Sequence, residues 1–116
     1  MALPGSCGDP IVDSVRHKLL EADGAGDTVC FAVAQKLAER SRFGQIKYNT
    51  PLSRADLTEL DLLNHAQQEA MDLANYIEAL IQRDPLLTSF YGMQEYALET
   101  ACELEVLIQN AGRAAP

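Results

Sequence analysis

Apolar positions recur with a period of about 3.6 residues over most of the chain, and no segment alternates as a strand would. Ile11, Val12, Val15, Leu19 and Leu20 follow Pro10 at that spacing and predict a first helix, ended by Gly24 to Gly26. A second helix is predicted from Thr28 to Arg42, with Asp27 or Thr28 as N-cap. Its apolar set is Val29, Phe31, Ala32, Val33 and Leu37, and Gly44 is its natural stop. Gln45 to Leu57 reads as a loop, because Asn49-Thr50-Pro51 pushes the backbone toward extended geometry. The third helix is the clearest. Thr58 caps it, Glu59 and Asp61 occupy its electropositive first turn, and the pattern runs to Arg83 before Asp84-Pro85 breaks it. At 1.5 Å per residue it is roughly 37 Å long. A fourth helix is predicted from Met93 to Asn110, closed by Gly112, with a short extra turn between Pro85 and Gly92. Residues 1–10, with Pro4, Gly5, Gly8 and Pro10, read as a flexible tail, and residues 11–112 as one all-α domain without an internal repeat. One long helix in so small a chain leaves apolar stripes uncovered, so a four-helix bundle completed by a homodimer or homotetramer is expected.

Composition narrows the classes. The chain has 116 residues and a net charge of −8, from 9 Lys plus Arg against 17 Asp plus Glu. Direct nucleic-acid binding needs a basic footprint, which this balance does not supply. A phosphate-bearing substrate remains compatible if divalent cations stand between acid and phosphate. Only 6% of residues are aromatic and Trp is absent, so the core must be built from Leu, Ile, Val and Ala, which suits packed helices. No apolar run reaches the roughly 18 residues of a membrane span. The N-terminus lacks the basic and apolar regions of a signal peptide. Cys7, Cys30 and Cys102 lack metal-site spacing and read as reduced thiols, two of them packing like small apolar side chains. A cytoplasmic protein is the expectation.

Projected at about 100° per residue, the third helix separates its side chains. Leu62, Leu63, Ala66, Ala70, Leu73, Ala74, Ile77, Leu80 and Ile81 form a broad apolar arc. Asn64, Gln67, Gln68, Asn75, Glu78 and Gln82 lie largely opposite, with Met71 the exception. His65, Glu69, Asp72 and Tyr76, spaced 4, 3 and 4, form a line on the flank of the arc. Two carboxylates one turn apart on a rigid helix suit a hard cation such as Mg²⁺ or Mn²⁺. The same spacing also suits a solvated acidic edge with a packed tyrosine. On the fourth helix Glu95, Glu99 and Glu103 stack at i, i+4 and i+8, a self-repulsive row unless solvated or metal-bound.

Two stretches carry a resemblance. Glu39-Arg40-Ser41-Arg42-Phe43-Gly44-Gln45-Ile46-Lys47-Tyr48-Asn49-Thr50-Pro51-Leu52 is similar to the opening E-R-x-x-x-G-x-x-K-Y-G-x-x-L of a group of phage proteins. His65-Ala66-Gln67-Gln68-Glu69-Ala70-Met71-Asp72-Leu73-Ala74-Asn75-Tyr76 continues it, where the group reads H-A-x-E-E-x-x-D-x-x-x-Y. The group resembles the MazG-like all-α nucleoside triphosphate pyrophosphohydrolases, in particular the MazZ-type phage enzymes that act on dGTP and dATP. The resemblance covers about residues 28 to 83. Glu69-Ala70-Met71-Asp72 matches the second half of the superfamily signature E-x-x-E…E-x-x-D. Lys36-Leu37-Ala38-Glu39 keeps only the last acid of the first half, Gln68 replaces Glu and Asn49 replaces Gly.

The resemblance implies cleavage between the α and β phosphates, giving monophosphate and pyrophosphate, with Mg²⁺ or Mn²⁺ as cofactor. It implies Glu69 and Asp72 as metal ligands and Glu39 as a third ligand or general base. Substrate contacts would come from Arg42, Lys47, Tyr48, His65 and Tyr76: cations to phosphates, Tyr48 to the base. It further implies a host-cytoplasm setting in which dGMP feeds synthesis of a modified purine nucleotide or dATP is cleared. Two other readings stay open. One is a non-catalytic helical adaptor whose stripes are an interface. The other is the same chemistry on a pyrimidine deoxynucleotide. Ordinary surface charge also accounts for Arg42 and Lys47, and a hydrogen-bonded helix histidine for His65.

Overall fold

A computed structural model describes residues 5–21, 28–48 and 57–114, with side chains for 5–21, 28–43 and 57–112. Among the described residues every regular element is helical: α1 (Pro10–Leu19), α2 (Thr28–Tyr48), α3 (Glu59–Arg83), a 3₁₀ segment (Pro85–Phe90) and α4 (Tyr91–Ala114). The all-α expectation holds at this level. The chain packs as two units, Met1–Leu57 and Thr58–Pro116.

In the first unit α1 lies against α2. Asp9 caps α1 by accepting from the Ile11 N–H at 3.0 Å, and Pro10 fills the first turn, where its missing N–H costs nothing. Arg16 is 4% exposed and ties three segments together. Its Nε donates to the Ala34 carbonyl of α2 at 3.0 Å, and its Nη1 to the Gly5 carbonyl and to Asp13 Oδ1, both at 2.9 Å. Asp13 also accepts from the Ser6 hydroxyl at 2.6 Å and the Cys7 N–H at 3.0 Å. Gly8 makes the turn between them with a φ of 92°, a conformation side chains resist. Residues 5–9, read from sequence as tail, are therefore hydrogen-bonded to α1. Cys7 is buried, Cys30 half-buried and Cys102 exposed, all as thiols.

α2 runs past Gly44 to Tyr48. A helix-interior glycine costs only about 1 kcal/mol relative to alanine, so Gly44 is no obligatory stop. Lys47 and Tyr48, expected in a loop, thus belong to the last turn of α2. Their side chains lie outside the described residues, as do Gly24–Gly26, Asp27 and Asn49–Pro51.

The second unit is an antiparallel helical hairpin. Thr58 and Asp61 form a reciprocal capping box, each N–H bonded to the other's side chain at 3.0 Å. At the far end the Asp84 N–H reaches the Leu80 carbonyl at 2.9 Å, and its carboxylate accepts from Leu86 N–H at 3.1 Å. Pro85 then starts the 3₁₀ reversal. α4 begins at Tyr91 and continues through Gly112, longer than predicted at both ends.

The seam between α3 and α4 buries Ala74, Ile77, Ile81, Ala97 and Ala101. Only part of the predicted apolar arc of α3 is therefore covered, and Leu62, Leu73 and Leu80 stay exposed. Gln67 and Glu78, expected opposite the arc, sit at the seam. Gln67 Nε2 donates across it to the Ala101 carbonyl at 3.2 Å and to Glu105 Oε1 at 3.0 Å. Gln94 Nε2 returns the arrangement, donating to the Ala74 carbonyl and to Glu78 Oε2, both at 3.2 Å. Gln82 braces Glu78 and Gln109 braces Glu105. Each alanine removes the bulk that would keep a glutamine from the opposite backbone.

These two clasps correct the reading that the chain lacks a repeat. Gln67, Ala70, Ala74, Glu78, Leu80, Ile81 and Gln82 recur 27 residues later as Gln94, Ala97, Ala101, Glu105, Leu107, Ile108 and Gln109. The hairpin is one helix pattern used twice about an approximate two-fold axis. Because the clasps are equivalent, Gln67→Ala and Gln94→Ala are expected to cost nearly the same stability, about 1 kcal/mol each, and to add in the double variant. Urea unfolding of the three proteins measures it.

Acid should loosen both units. The Ser6 hydroxyl, then the Cys7 amide, hold the Asp13 carboxyl well below its ordinary 3.8. Gln67, then Gln109, lower Glu105 from its ordinary 4.5. A depressed carboxyl favours the folded state above its ordinary value, and that contribution is lost as pH falls below it. The urea midpoint is therefore expected to be level above about pH 5 and to fall below it, less steeply in Asp13→Asn.

Candidate functional site

The sequence line His65, Glu69, Asp72 and Tyr76 lies on α3, the helix with the best-defined start and stop. The thermodynamic reason is local: a capping box at one end, Asp84-Pro85 at the other, and a buried seam between. Rotation along 25 residues of α3 keeps the four on one side, off the seam. All four are exposed, Tyr76 at 68%, so the packed-tyrosine version of a solvated edge is not what forms. Glu69 and Asp72 present two carboxylates one turn apart, with side chains about 5–6 Å apart at Cβ.

The other expected residues distribute over the chain. Glu39 and Arg42 are exposed on α2 of the first unit. Glu95, Glu99 and Glu103 are exposed along α4. His17 is exposed, its Nδ1 4.0 Å from a Glu21 carboxylate oxygen. Among the described residues no group of three or more His, Cys, Asp or Glu side chains is placed to hold a metal ion.

Sequence reasoning passed over the partition of charge. Residues 58–116 carry ten carboxylates against Arg83 and Arg113, so the whole net charge of −8 resides there. Residues 1–57 balance seven acids with seven bases. Counting charge by unit rather than by chain would have found it. The carboxylates that suit a hard cation and the cations that suit phosphate thus come from different halves of the chain. No described helix is long and apolar enough to cross a membrane.

Comparison with known proteins found no family model that matches the chain, and no curated protein or solved structure similar to it.

Without a bound cation, Glu69 and Asp72 repel. Glu69→Gln is expected to leave helix content unchanged and to raise unfolding stability by a few tenths of a kcal/mol. Thermal unfolding in a chelating buffer checks the sign, and a marked loss would give Glu69 a structural role instead.

Proposed function

We propose that the chain is a metal-dependent nucleoside triphosphate pyrophosphohydrolase that converts a purine deoxynucleotide, dGTP or dATP, to its monophosphate and pyrophosphate. One observation carries the reading: Glu69 and Asp72 stand together, exposed, on the helix whose ends are most firmly fixed, within the E-x-x-D half-signature. The donor set fits Mg²⁺ or Mn²⁺. These ions are commonly held by one or two carboxylates together with substrate phosphates rather than by a full protein cage. When bound, such an ion neutralises phosphate charge and lowers the pKa of a coordinated water.

The chain's own residues supply the remainder. Glu69 and Asp72 hold their charges in fixed register, since α3 cannot bend away from its capped start and its seam. His65 and Tyr76 extend the same side of the helix by about one turn in each direction, where they contact the nucleotide. Arg42 and Lys47 are the cations that the sequence resemblance assigns to the phosphates. A triphosphate of about four negative charges cannot approach a hairpin of net −8 unaided, which makes activity strictly cation-dependent.

The uncovered apolar side chains of the hairpin favour one other reading, a helical adaptor without catalysis. A panel of dGTP, dATP, dUTP and dCTP with Mg²⁺ or Mn²⁺, read out as pyrophosphate and monophosphate, separates them. The proposal predicts purine turnover. Turnover of dUTP or dCTP alone keeps the reaction and removes the purine assignment, and an inert panel favours the adaptor. Glu69→Gln keeps shape and removes charge, so it is expected to lose at least roughly a hundredfold in rate, about 2.7 kcal/mol of transition-state stabilisation, with wild-type circular dichroism.

A further inference from the structure

We propose that residues 5–8 form a strap that lifts off α1 while the helices stay folded, and that Arg16 couples the docking of this strap to the packing of α1 on α2. Strap and coupling stand apart from the catalytic reading.

The strap is held through side chains. The Ser6 hydroxyl and the Cys7 N–H both end on the Asp13 carboxylate, and the Gly5 carbonyl accepts from Arg16 Nη1. The Gly8 N–H turns back to Ser6 Oγ at 3.1 Å. Gly5, Ser6 and Gly8 are exposed, so the strap adds one buried side chain, Cys7, to the core. Ordering four residues, two of them glycines, costs conformational entropy of the same size as the contribution of three bonds to charged groups. Docking is therefore closely balanced, whereas α1 has its own support. Asp9 caps it from the Ile11 N–H, and the Asp13 N–H closes its first turn on the Asp9 carbonyl at 2.9 Å. Neither bond uses residues 5–8. Gly8, with its φ of 92°, stands between strap and cap as a hinge that lets one move without the other.

Arg16 gives the strap a consequence. Its guanidinium is a rigid planar fork. Nη1 holds Gly5 and Asp13, while Nε donates to the Ala34 carbonyl of α2. The side chain is buried, so all three acceptors are met in one pose. Ala34 is itself buried, and its small side chain leaves its carbonyl within reach of the fork. A strap that lifts removes one acceptor and uncovers Asp13. A shift of α1 on α2 draws the fork away from Gly5. Each event makes the other easier, and the coupling is reciprocal.

The Cys7 thiol reports the strap, because the strap must lift before a reagent reaches it. The full chain carrying Cys30→Ala and Cys102→Ser, labelled with an aromatic disulfide reagent, leaves Cys7 as its one thiol. Labelling is expected to be far slower than in the urea-unfolded chain and nearly unchanged by urea below the unfolding transition, since local opening exposes little surface. Ser6→Ala, at an exposed position, is expected to speed labelling about tenfold with unchanged circular dichroism, and to speed hydrogen exchange of the α1 amides severalfold. Arg16→Lys keeps the charge but not the fork, and is expected to speed both. Lys18→Ala, exposed on α1, is expected to change neither. Labelling of Cys7 as fast as in the unfolded chain, or only with the urea dependence of global unfolding, would overturn the strap. Ser6→Ala labelling at the parent rate, or Lys18→Ala matching it, would do the same. Faster labelling in Ser6→Ala without faster α1 exchange would overturn the coupling.

Discussion

The second half of this chain depends on a seam narrow enough for a side-chain amide to reach across to the opposite backbone. Ala74 and Ala101 set that width. Each lies where a glutamine of the other helix arrives, and each leaves its carbonyl open to a second hydrogen bond. Larger residues there would separate the helices and strand both amides. With the seam closed, Glu78 and Glu105 are tied down by two amide donors each. Two of ten acids in a unit of net −8 are thereby held in defined places. Glu69, Asp72, Glu95, Glu99 and Glu103 stay exposed, off the seam.

Rigidity and charge then become the same fact. A helix capped at Thr58, stopped at Asp84 and clasped twice cannot swing its carboxylates apart to relieve repulsion. Stored repulsion of this kind is relieved by a cation, which is why the exposed pair Glu69 and Asp72 carries the functional proposal. Arg16 performs the equivalent task in the first unit. One guanidinium joins α2, α1 and the residues ahead of α1, so that a short helix with few buried side chains keeps its place.

Helix number and order, the capped start of α3, its stop at Asp84-Pro85 and the four-residue line His65–Tyr76 were all legible from periodicity and caps. What was not legible shares one cause. Periodicity identifies polar positions but not their partners, so Gln67 and Glu78 read as solvent-facing although they close the seam. The repeat escaped for the same reason. Its signature is carried by glutamine, alanine and glutamate at seam positions, not by the large apolar residues that a search for helical stripes follows. Gly44 read as a stop because glycine ends many helices, but ending one also needs a chain that turns, and at Gly44 the helix continues to Tyr48. Arg16 was invisible because a single cation in an amphipathic segment reads as surface until three separate segments supply its acceptors.

The central claim is that the exposed acid pair of α3 binds a triphosphate through a divalent cation. Thermal unfolding of the wild-type chain and of Glu69→Gln, with Mn²⁺ and a non-hydrolysable dGTP analogue added together and separately, tests it most directly. At a hundredfold excess over the dissociation constant, the combination is expected to stabilise the wild type by about 2.7 kcal/mol and Glu69→Gln scarcely at all. An unmoved wild-type transition, or equal shifts in both proteins, would contradict the account.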